Sequence, residues 1–216
     1  MRPNEKMSDM DFALMKPHLM RMKKSANFFD FKFGSQFARR SMFKAVKAHE
    51  QKTQSQGTLR VRLLLNENGA MKIECFPITL DPADKIISFT ISNKIVQSDD
   101  VFLKHKTTNR ALYDEEHAHY NKSLGCDEVL FLNEREELSE GSRSNVFILP
   151  KGAEEGDILL TPPVSSGLLP GLLRDKMLKT KKAQEQILKT EDLQNAEKIY
   201  FGNSVRGLQE AQICEK

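Results

Sequence analysis

The sequence has no tryptophan, only three cysteines and no long apolar run. Cys75, Cys126 and Cys214 follow no metal-ligand spacing, and their odd number argues against a disulfide framework, as expected in a reducing cytosol. No stretch approaches the roughly 18 apolar residues of a transmembrane helix, and the first residues contain no apolar signal core. We therefore expect a cytoplasmic protein that is neither exported nor inserted in a membrane.

The chain also lacks an excess of either charge. Its 33 basic and 30 acidic residues are interspersed and leave a net charge of +3, so they do not form the long basic face of a nucleic-acid-binding protein. Hydrophobic residues make up 39% of the 216 positions, an ordinary value for a globular chain that argues against disorder. This length allows one or two small domains whose core needs no disulfide or metal.

Residues 1–100 are predicted to form a small α/β domain. Apolar residues recur at helical spacing over 12–29, and a second helix is expected over 35–50. Alternating β-forming residues on both sides of an Asn-Gly turn predict a hairpin over 58–76, and a third strand is expected over 85–91. The next residues, 93–104, show no clear period and are expected to connect the two domains.

Residues 101–216 are predicted to form a larger domain of strands and helices. The pattern predicts a helix over 109–124 that ends at Gly125. A loop ending in Pro170-Gly171 is expected to begin a further helix. His117 and His119 are two residues apart and so face different sides of the first helix, and we predict no metal site. Strands are expected over 127–132, 144–149, 156–161 and 198–201.

One acidic residue, Glu140, stands among small hydrogen-bonding residues in the segment Glu140-Gly-Ser-Arg-Ser-Asn145. We expect this segment to be the polar tip of a hairpin over 132–149. A carboxylate in such a place is costly to bury unless a positive or protonated group meets it, so a bound ligand is one interpretation. The alternative is that Glu140 is a solvated turn residue like its acidic neighbours Glu134, Glu136 and Glu137.

Four patterns occur in order along the chain: 18–26, His105-Lys-Thr-Thr-Asn-Arg110, Leu138-Ser-Glu-Gly-Ser-Arg-Ser-Asn-Val-Phe147, and 161–175 followed by 201–207. Together they resemble the fold-type IV pyridoxal-phosphate enzymes, the family of branched-chain and D-amino-acid aminotransferases and of 4-amino-4-deoxychorismate lyase. The details are most similar to the lyase branch, in particular the lyase-like domain fused to aminodeoxychorismate synthase component I. The resemblance implies a mixed α+β and α/β fold, with a small α/β domain and a larger β-rich pseudo-barrel domain with helices.

The resemblance also implies the cofactor, pyridoxal 5'-phosphate, and the residues that hold it. Lys106 would bind the cofactor aldehyde and then act as general base, and Glu140 would keep the pyridine nitrogen protonated. Without the resemblance, Lys106 and Arg21 would be interpreted as solvated charges. The remaining implied contacts are Arg21, Asn145, the amides of Leu172 and Leu173, Asn203 and Ser204 for the cofactor, and Asn109 and Arg206 for the substrate.

The implied activity is elimination of pyruvate from 4-amino-4-deoxychorismate, which gives p-aminobenzoate for folate synthesis, by a cytosolic homodimer. Two alternatives stay open: an amino-acid transaminase with the same cofactor, and a catalytically weakened partner domain of aminodeoxychorismate synthase component I. The second is suggested by the amino terminus, because Met1-Arg2 resemble the last two residues of the family's opening strand. We therefore expect the small domain to lack that strand, through a late start codon or excision from a longer chain.

Overall fold

The computed structural model describes residues 12–54, 57–82 and 84–214. The chain divides into two compact units, Met1–Leu80 and Asp81–Lys216. The sequence placed this boundary at residues 100/101, but the third strand pairs within the sheet of the second unit and belongs to it. The expected loss of an opening strand falls on residues outside the described part of the chain. No helix of the described residues is long and apolar enough to cross a bilayer.

The first unit combines two helices with a hairpin. Its elements are α1 (Met15–Phe28), α2 (Ser35–Thr53), β1 (Leu59–Leu65) and β2 (Met71–Pro77), all four close to their predicted positions. The strands pair antiparallel around Gly69, whose φ of 90° is one that glycine adopts without strain. Apolar side chains from both helices pack on one face of the hairpin, which gives this unit its own core: Met15, Leu19, Ala38, Met42, Val61 and Ile73.

The second unit contains one mixed sheet. Its described elements are β3 (Ile87–Val96), α3 (Ala111–Leu124), β4 (Glu128–Asn133), β5 (Leu138–Gly141), β6 (Asn145–Pro150), β7 (Leu159–Thr161), α4 (Leu172–Lys179), β8 (Ala183–Glu185), α5 (Thr190–Gln194), β9 (Ala196–Asn203) and β10 (Gly207–Ile213). Among these residues eight strands form the sheet, in the order β5-β4-β3-β10-β9-β6-β7-β8. The central strand β3 runs parallel to β4 and β10, and β9 runs antiparallel to β10 and β6.

Apolar side chains cover both faces of this sheet. On one face, Leu130 of β4 packs with Phe89 of β3 and Phe201 of β9, and these two rings meet edge to face at 5.1 Å. On the other face, Phe131 of β4 packs against α3. Successive residues of β4 point to opposite faces and both are buried, so a continuous apolar run is needed there. This packing fixes α3 beside β4 and β5.

Several elements differ from the prediction. The strand β3 continues to Val96 through an irregular register between Ile91 and Ile95, although a connection was expected from residue 93. The elements β8, α5 and β10 were not predicted. Because β10 brings Cys214 beside β3, Cys214 reaches Cys126, and the structure joins them in a disulfide. The sequence argued against a disulfide framework and did not predict this single pair.

Candidate active site

A cavity of about 300 Å³ lies in the second unit, around the segment that leads into α3. The residues that line it include Lys106, Asn109, Arg110, Tyr113, Glu140 and Leu169. Three of the predicted site residues thus meet in one place, from two segments more than 30 positions apart in sequence. The apolar lining comes from the end of β3, from the segment that follows it, from the start of α3 and from Leu169.

Glu140 lies inside the sheet and not at the tip of a polar hairpin, so that prediction was wrong. It is the third residue of β5, a strand of four buried residues that pairs antiparallel with β4. The polar turn comes earlier, over 134–137, and Glu136 takes a φ of 61° there. A Cβ added to Gly141 would lie 2.9 Å from the Glu128 carboxyl carbon and from the Phe201 ring, so this strand packs closely because residue 141 is glycine.

Glu140 is 8% exposed, and its carboxyl group is held by three donors. The Tyr113 hydroxyl donates to Oε1 at 3.2 Å, Asn145 Nδ2 donates to Oε2 at 3.4 Å, and the Leu169 N–H also donates to the carboxylate. Burial raises the pKa of Glu140 to about 8, against the opposing effects of the Leu169 N–H, the Lys106 charge and the Tyr113 hydroxyl. The interpretation of Glu140 as a solvated turn residue is therefore excluded.

Lys106 lies between a short 3-10 helix (Val101–Lys104) and α3. The Asp100 side chain caps that 3-10 helix by accepting from the Phe102 N–H at 2.8 Å. Lys106 lines the cavity and is an exposed residue. Its positive charge lowers the pKa of Glu140, which places the two groups in electrostatic contact across the cavity.

Asn145 connects Glu140 to the amino end of α4. Besides its contact with Glu140, its Nδ2 donates to the Leu169 carbonyl at 2.9 Å. A Cβ on Gly171 would overlap Asn145 Oδ1, so the loop can pass this close only with glycine. The predicted helix start at Pro170-Gly171 is confirmed, with Gly171 as the N-cap. Leu172 and Leu173 are the first two residues of the helix.

The last predicted residues lie outside the cavity lining. Asn203 donates to Ser144 Oγ at 3.1 Å, and its Oδ1 accepts from the Val205 and Arg206 N–H groups, so it shapes the turn that contains Ser204. The Arg206 guanidinium pairs with Asp81 and does not line the cavity. Arg21 lies in α1 of the first unit, with Nη2 3.5 Å from His18 Nδ1 and a pKa lowered by burial. The roles of these residues stay predictions.

The sequence analysis gave no role to Tyr113, to the Arg110 side chain or to Glu128. Arg110 Nη2 donates to the Ser142 carbonyl at 2.7 Å and so ties the start of α3 to the turn after β5. Glu128 is buried and accepts from Ser142 Oγ and from the Arg143 N–H, and burial raises its pKa. An acid at the first position of a buried strand was the available signal for Glu128, whereas no local signal marked Tyr113.

Comparison with known proteins gives one consistent result. The family model for class IV amino-transferases matches residues 6–213. Over 215 aligned positions the chain is 24% identical to the "Probable branched-chain-amino-acid aminotransferase" of Thermotoga maritima, a match that covers 91% of this chain and 70% of that protein.

Solved structures agree with the family model. A candidate amino-acid aminotransferase from Mesorhizobium loti has a TM-score of 0.79 at 33% identity, covering 92% of this chain and 90% of that one. A candidate 4-amino-4-deoxychorismate lyase from Legionella pneumophila has a TM-score of 0.75 at 18% identity, covering 93% of this chain and 77% of that one. The predicted fold-type IV fold is thereby confirmed. The predicted cofactor is confirmed through the family match, because class IV enzymes use pyridoxal phosphate. The chain belongs to the class IV aminotransferase family, whose enzymes use pyridoxal phosphate.

Proposed function

We propose that Lys106 and Glu140 hold pyridoxal phosphate in the cavity before α3. The observation that carries this proposal is the buried Glu140 carboxyl, whose pKa is raised to about 8 and which lines the same cavity as Lys106. A carboxylate that is costly to bury alone is stabilised by a protonated nitrogen, such as the pyridine nitrogen of the cofactor. The cavity volume of about 300 Å³ is at the lower end of the range for small-molecule sites. These residues therefore fit the group.

We assign the cofactor phosphate to the amino end of α4. Gly171 has no side chain that could cap the helix, so the first N–H groups, those of Leu172 and Leu173, are available to an anion. Asn145 holds the preceding loop against Glu140, which couples the two ends of the proposed site. Asn203 and Ser204, on the turn after β9, are further proposed phosphate contacts.

When bound, the cofactor supplies a ring that withdraws electrons from the substrate's reacting carbon. Lys106 would hold the cofactor through its amine and, as a free amine, would act as the general base that takes the proton from the substrate carbon bearing the amine. Glu140 keeps the ring nitrogen protonated, because a nearby negative charge favours the charged form of that nitrogen. Asn109, which lines the cavity, is a proposed substrate contact.

We propose 4-amino-4-deoxychorismate as the substrate. Removal of the proton by Lys106 allows the carbon–oxygen bond to the enolpyruvyl group to break, the leaving group takes up a proton as pyruvate, and the ring becomes the aromatic p-aminobenzoate. The sequence His105-Lys-Thr-Thr-Asn-Arg110 supports this assignment through its similarity to the lyase branch. Arg206 could contact a substrate carboxylate only after separating from Asp81.

A transaminase is the second candidate, because the Mesorhizobium loti and Thermotoga maritima proteins both carry aminotransferase names. The two reactions can be separated with purified protein and cofactor. A lyase converts aminodeoxychorismate to equal amounts of pyruvate and p-aminobenzoate without an amino acceptor, whereas a transaminase makes a keto acid from an amino acid only when an acceptor is present.

Variants of two lysines control this assay. Lys106→Ala should abolish either activity, and Lys104→Ala, two residues earlier in the same segment, should keep it. Turnover by Lys106→Ala at the rate of the unchanged protein would remove the assignment of this lysine. Loss in both variants would point to damage of the segment and not to the chemistry of Lys106.

We also propose that the protein acts as a cytoplasmic homodimer, as the family resemblance implies. The alternative, a partner domain of aminodeoxychorismate synthase component I, predicts a different behaviour in solution. Light scattering after gel filtration should give twice the chain mass of 24.7 kDa for the homodimer. A monomer that binds no cofactor but binds component I would support the partner domain instead.

A further inference from the structure

Tyr113 is a cavity residue to which the proposed chemistry gives no role. It lies on α3, is 8% exposed, and its hydroxyl donates to Glu140 Oε1 at 3.2 Å. The other oxygen of Glu140 faces Asn145 at the longer distance of 3.4 Å. Tyr113 therefore provides the shorter of the two side-chain hydrogen bonds that hold this carboxylate.

The Tyr113 ring has little freedom to move its hydroxyl elsewhere. It packs edge to face on Phe131 of β4, with the ring centroids 4.7 Å apart. The Arg110 guanidinium lies 5.8 Å from the Tyr113 ring centroid and is itself held by the Ser142 carbonyl at 2.7 Å and by Asp114 at 2.9 Å. Contacts from β4 and from the preceding helical turn thus hold the ring, and its hydroxyl position is determined by packing.

The charges around Tyr113 keep it a hydrogen-bond donor. Burial and then the negative charge of Glu140 raise the pKa of Tyr113 well above its ordinary value, and Arg110 only partly opposes them. The phenol therefore keeps its proton at every working pH. In return, the hydrogen bond from Tyr113 stabilises the ionised form of Glu140, as do the Leu169 N–H and the Lys106 charge, whereas Glu128 acts against it.

We propose that Tyr113 is a positioning residue that holds the Glu140 carboxyl group facing the cavity, so that it meets the protonated ring nitrogen of the cofactor. This inference rests on the proposed function, because it assigns Tyr113 a task only if Glu140 meets that nitrogen. Tyr113 itself exchanges no proton and need not touch the reacting atoms. Its effect passes entirely through the Glu140 carboxylate, and this feature makes it testable.

The test compares Tyr113→Phe with Tyr120→Phe. Both tyrosines lie on α3 and pack against the same apolar cluster, and both variants remove one hydroxyl group. Pyridoxal phosphate affinity is measured by equilibrium dialysis. We expect Tyr113→Phe to bind about tenfold more weakly or worse, the usual effect of losing one hydrogen bond to a charged group, and Tyr120→Phe to bind within about twofold of the unchanged protein. Equal affinity of Tyr113→Phe and the unchanged protein would overturn the proposal.

A second comparison separates positioning from general structural damage. In a Glu140→Ala background, Tyr113→Phe should change the affinity by less than about twofold, because the hydrogen-bond partner of Tyr113 is already absent. The same large loss in that background would show that Tyr113 acts on the fold and not through Glu140, and would overturn the proposal.

A measurement without cofactor distinguishes this inference from the proposed function. The carboxyl carbon of Glu140, followed by carbon NMR during a pH titration, should titrate at higher pH in Tyr113→Phe than in the unchanged protein and at the same pH in Tyr120→Phe. No difference for Tyr113→Phe would overturn the inference. A clear difference in a protein that binds no pyridoxal phosphate would instead overturn the proposed function, leaving Tyr113 with an effect on Glu140 alone.

Discussion

Replacing Glu140 with Gln is expected to stabilise the cofactor-free protein at neutral and alkaline pH. Burial raises the pKa of Glu140 from 4.5 to about 8, so the folded state holds this proton more tightly than the unfolded state does. The contribution to stability is complete below about pH 4.5 and is lost as the pH rises toward 8. At about 1.36 kcal/mol for each pH unit, the loss reaches about 3 kcal/mol near pH 7 and about 5 kcal/mol above pH 8. A glutamine has no charge to bury and can still accept from Tyr113.

The assay is denaturant unfolding without cofactor at about pH 5, 7 and 8.5. The chain has no tryptophan, and its three tyrosines, at positions 113, 120 and 200, all lie in the second unit, so tyrosine fluorescence reports the unfolding of that unit. The unfolding free energy of the unchanged protein should fall with rising pH relative to that of Glu140→Gln, by several kcal/mol over this range. Parallel pH dependences, or a Gln variant that is the less stable protein at pH 8.5, would refute the reasoning.

Two further substitutions test the two ends of β5. Glu137→Gln should destabilise the protein at neutral pH, because hydrogen bonds from Arg135 above all hold the pKa of Glu137 at about 2. The same assay should show an unfolding free energy lower by about 1–3 kcal/mol at pH 7, and this difference should shrink as the pH falls toward 2. A stabilised variant would contradict this. Gly141→Ala places a Cβ 2.9 Å from the Glu128 carboxyl carbon and the Phe201 ring. We therefore expect the unfolding free energy to fall by about 1–3 kcal/mol and cofactor binding to weaken. An alanine variant with unchanged melting temperature and affinity would show that β5 can shift freely.

The parts of the fold that the sequence could predict are those with local signals. The helix α3 ends at Gly125, which adopts a φ of 71° there, and the hairpin of β1 and β2 turns at Gly69, so each carries its own boundary. By contrast, β10 pairs in parallel with β3, more than 100 residues earlier in the chain. The sequence of Gly207–Ile213 does not predict which strand it pairs with. The unexpected pairing of Cys126 with Cys214 follows from the same strand.

In the candidate site too, the residues that a sequence motif marks were predicted, and those that depend on tertiary contacts were not. Resemblance identified Lys106 and Glu140, and they do line one cavity. The small polar residues after Glu140 suggested a hairpin tip, but the hairpin turn lies earlier, over 134–137, and Glu140 itself is in a buried strand. Tyr113 could not be recognised, because its contact with Glu140 depends on the packing of α3 against Phe131, which is a tertiary contact without a local pattern.

The most direct test of the account is to locate the cofactor on the chain. The protein is mixed with pyridoxal phosphate, reduced with borohydride and digested, and the peptides are analysed by mass spectrometry, with Lys106→Ala and Lys104→Ala treated in parallel. The account predicts one modified peptide, which carries the cofactor on Lys106, in the unchanged protein and in Lys104→Ala, and no such modification in Lys106→Ala. Stoichiometric modification of another lysine, or none in a protein that is folded, would contradict it.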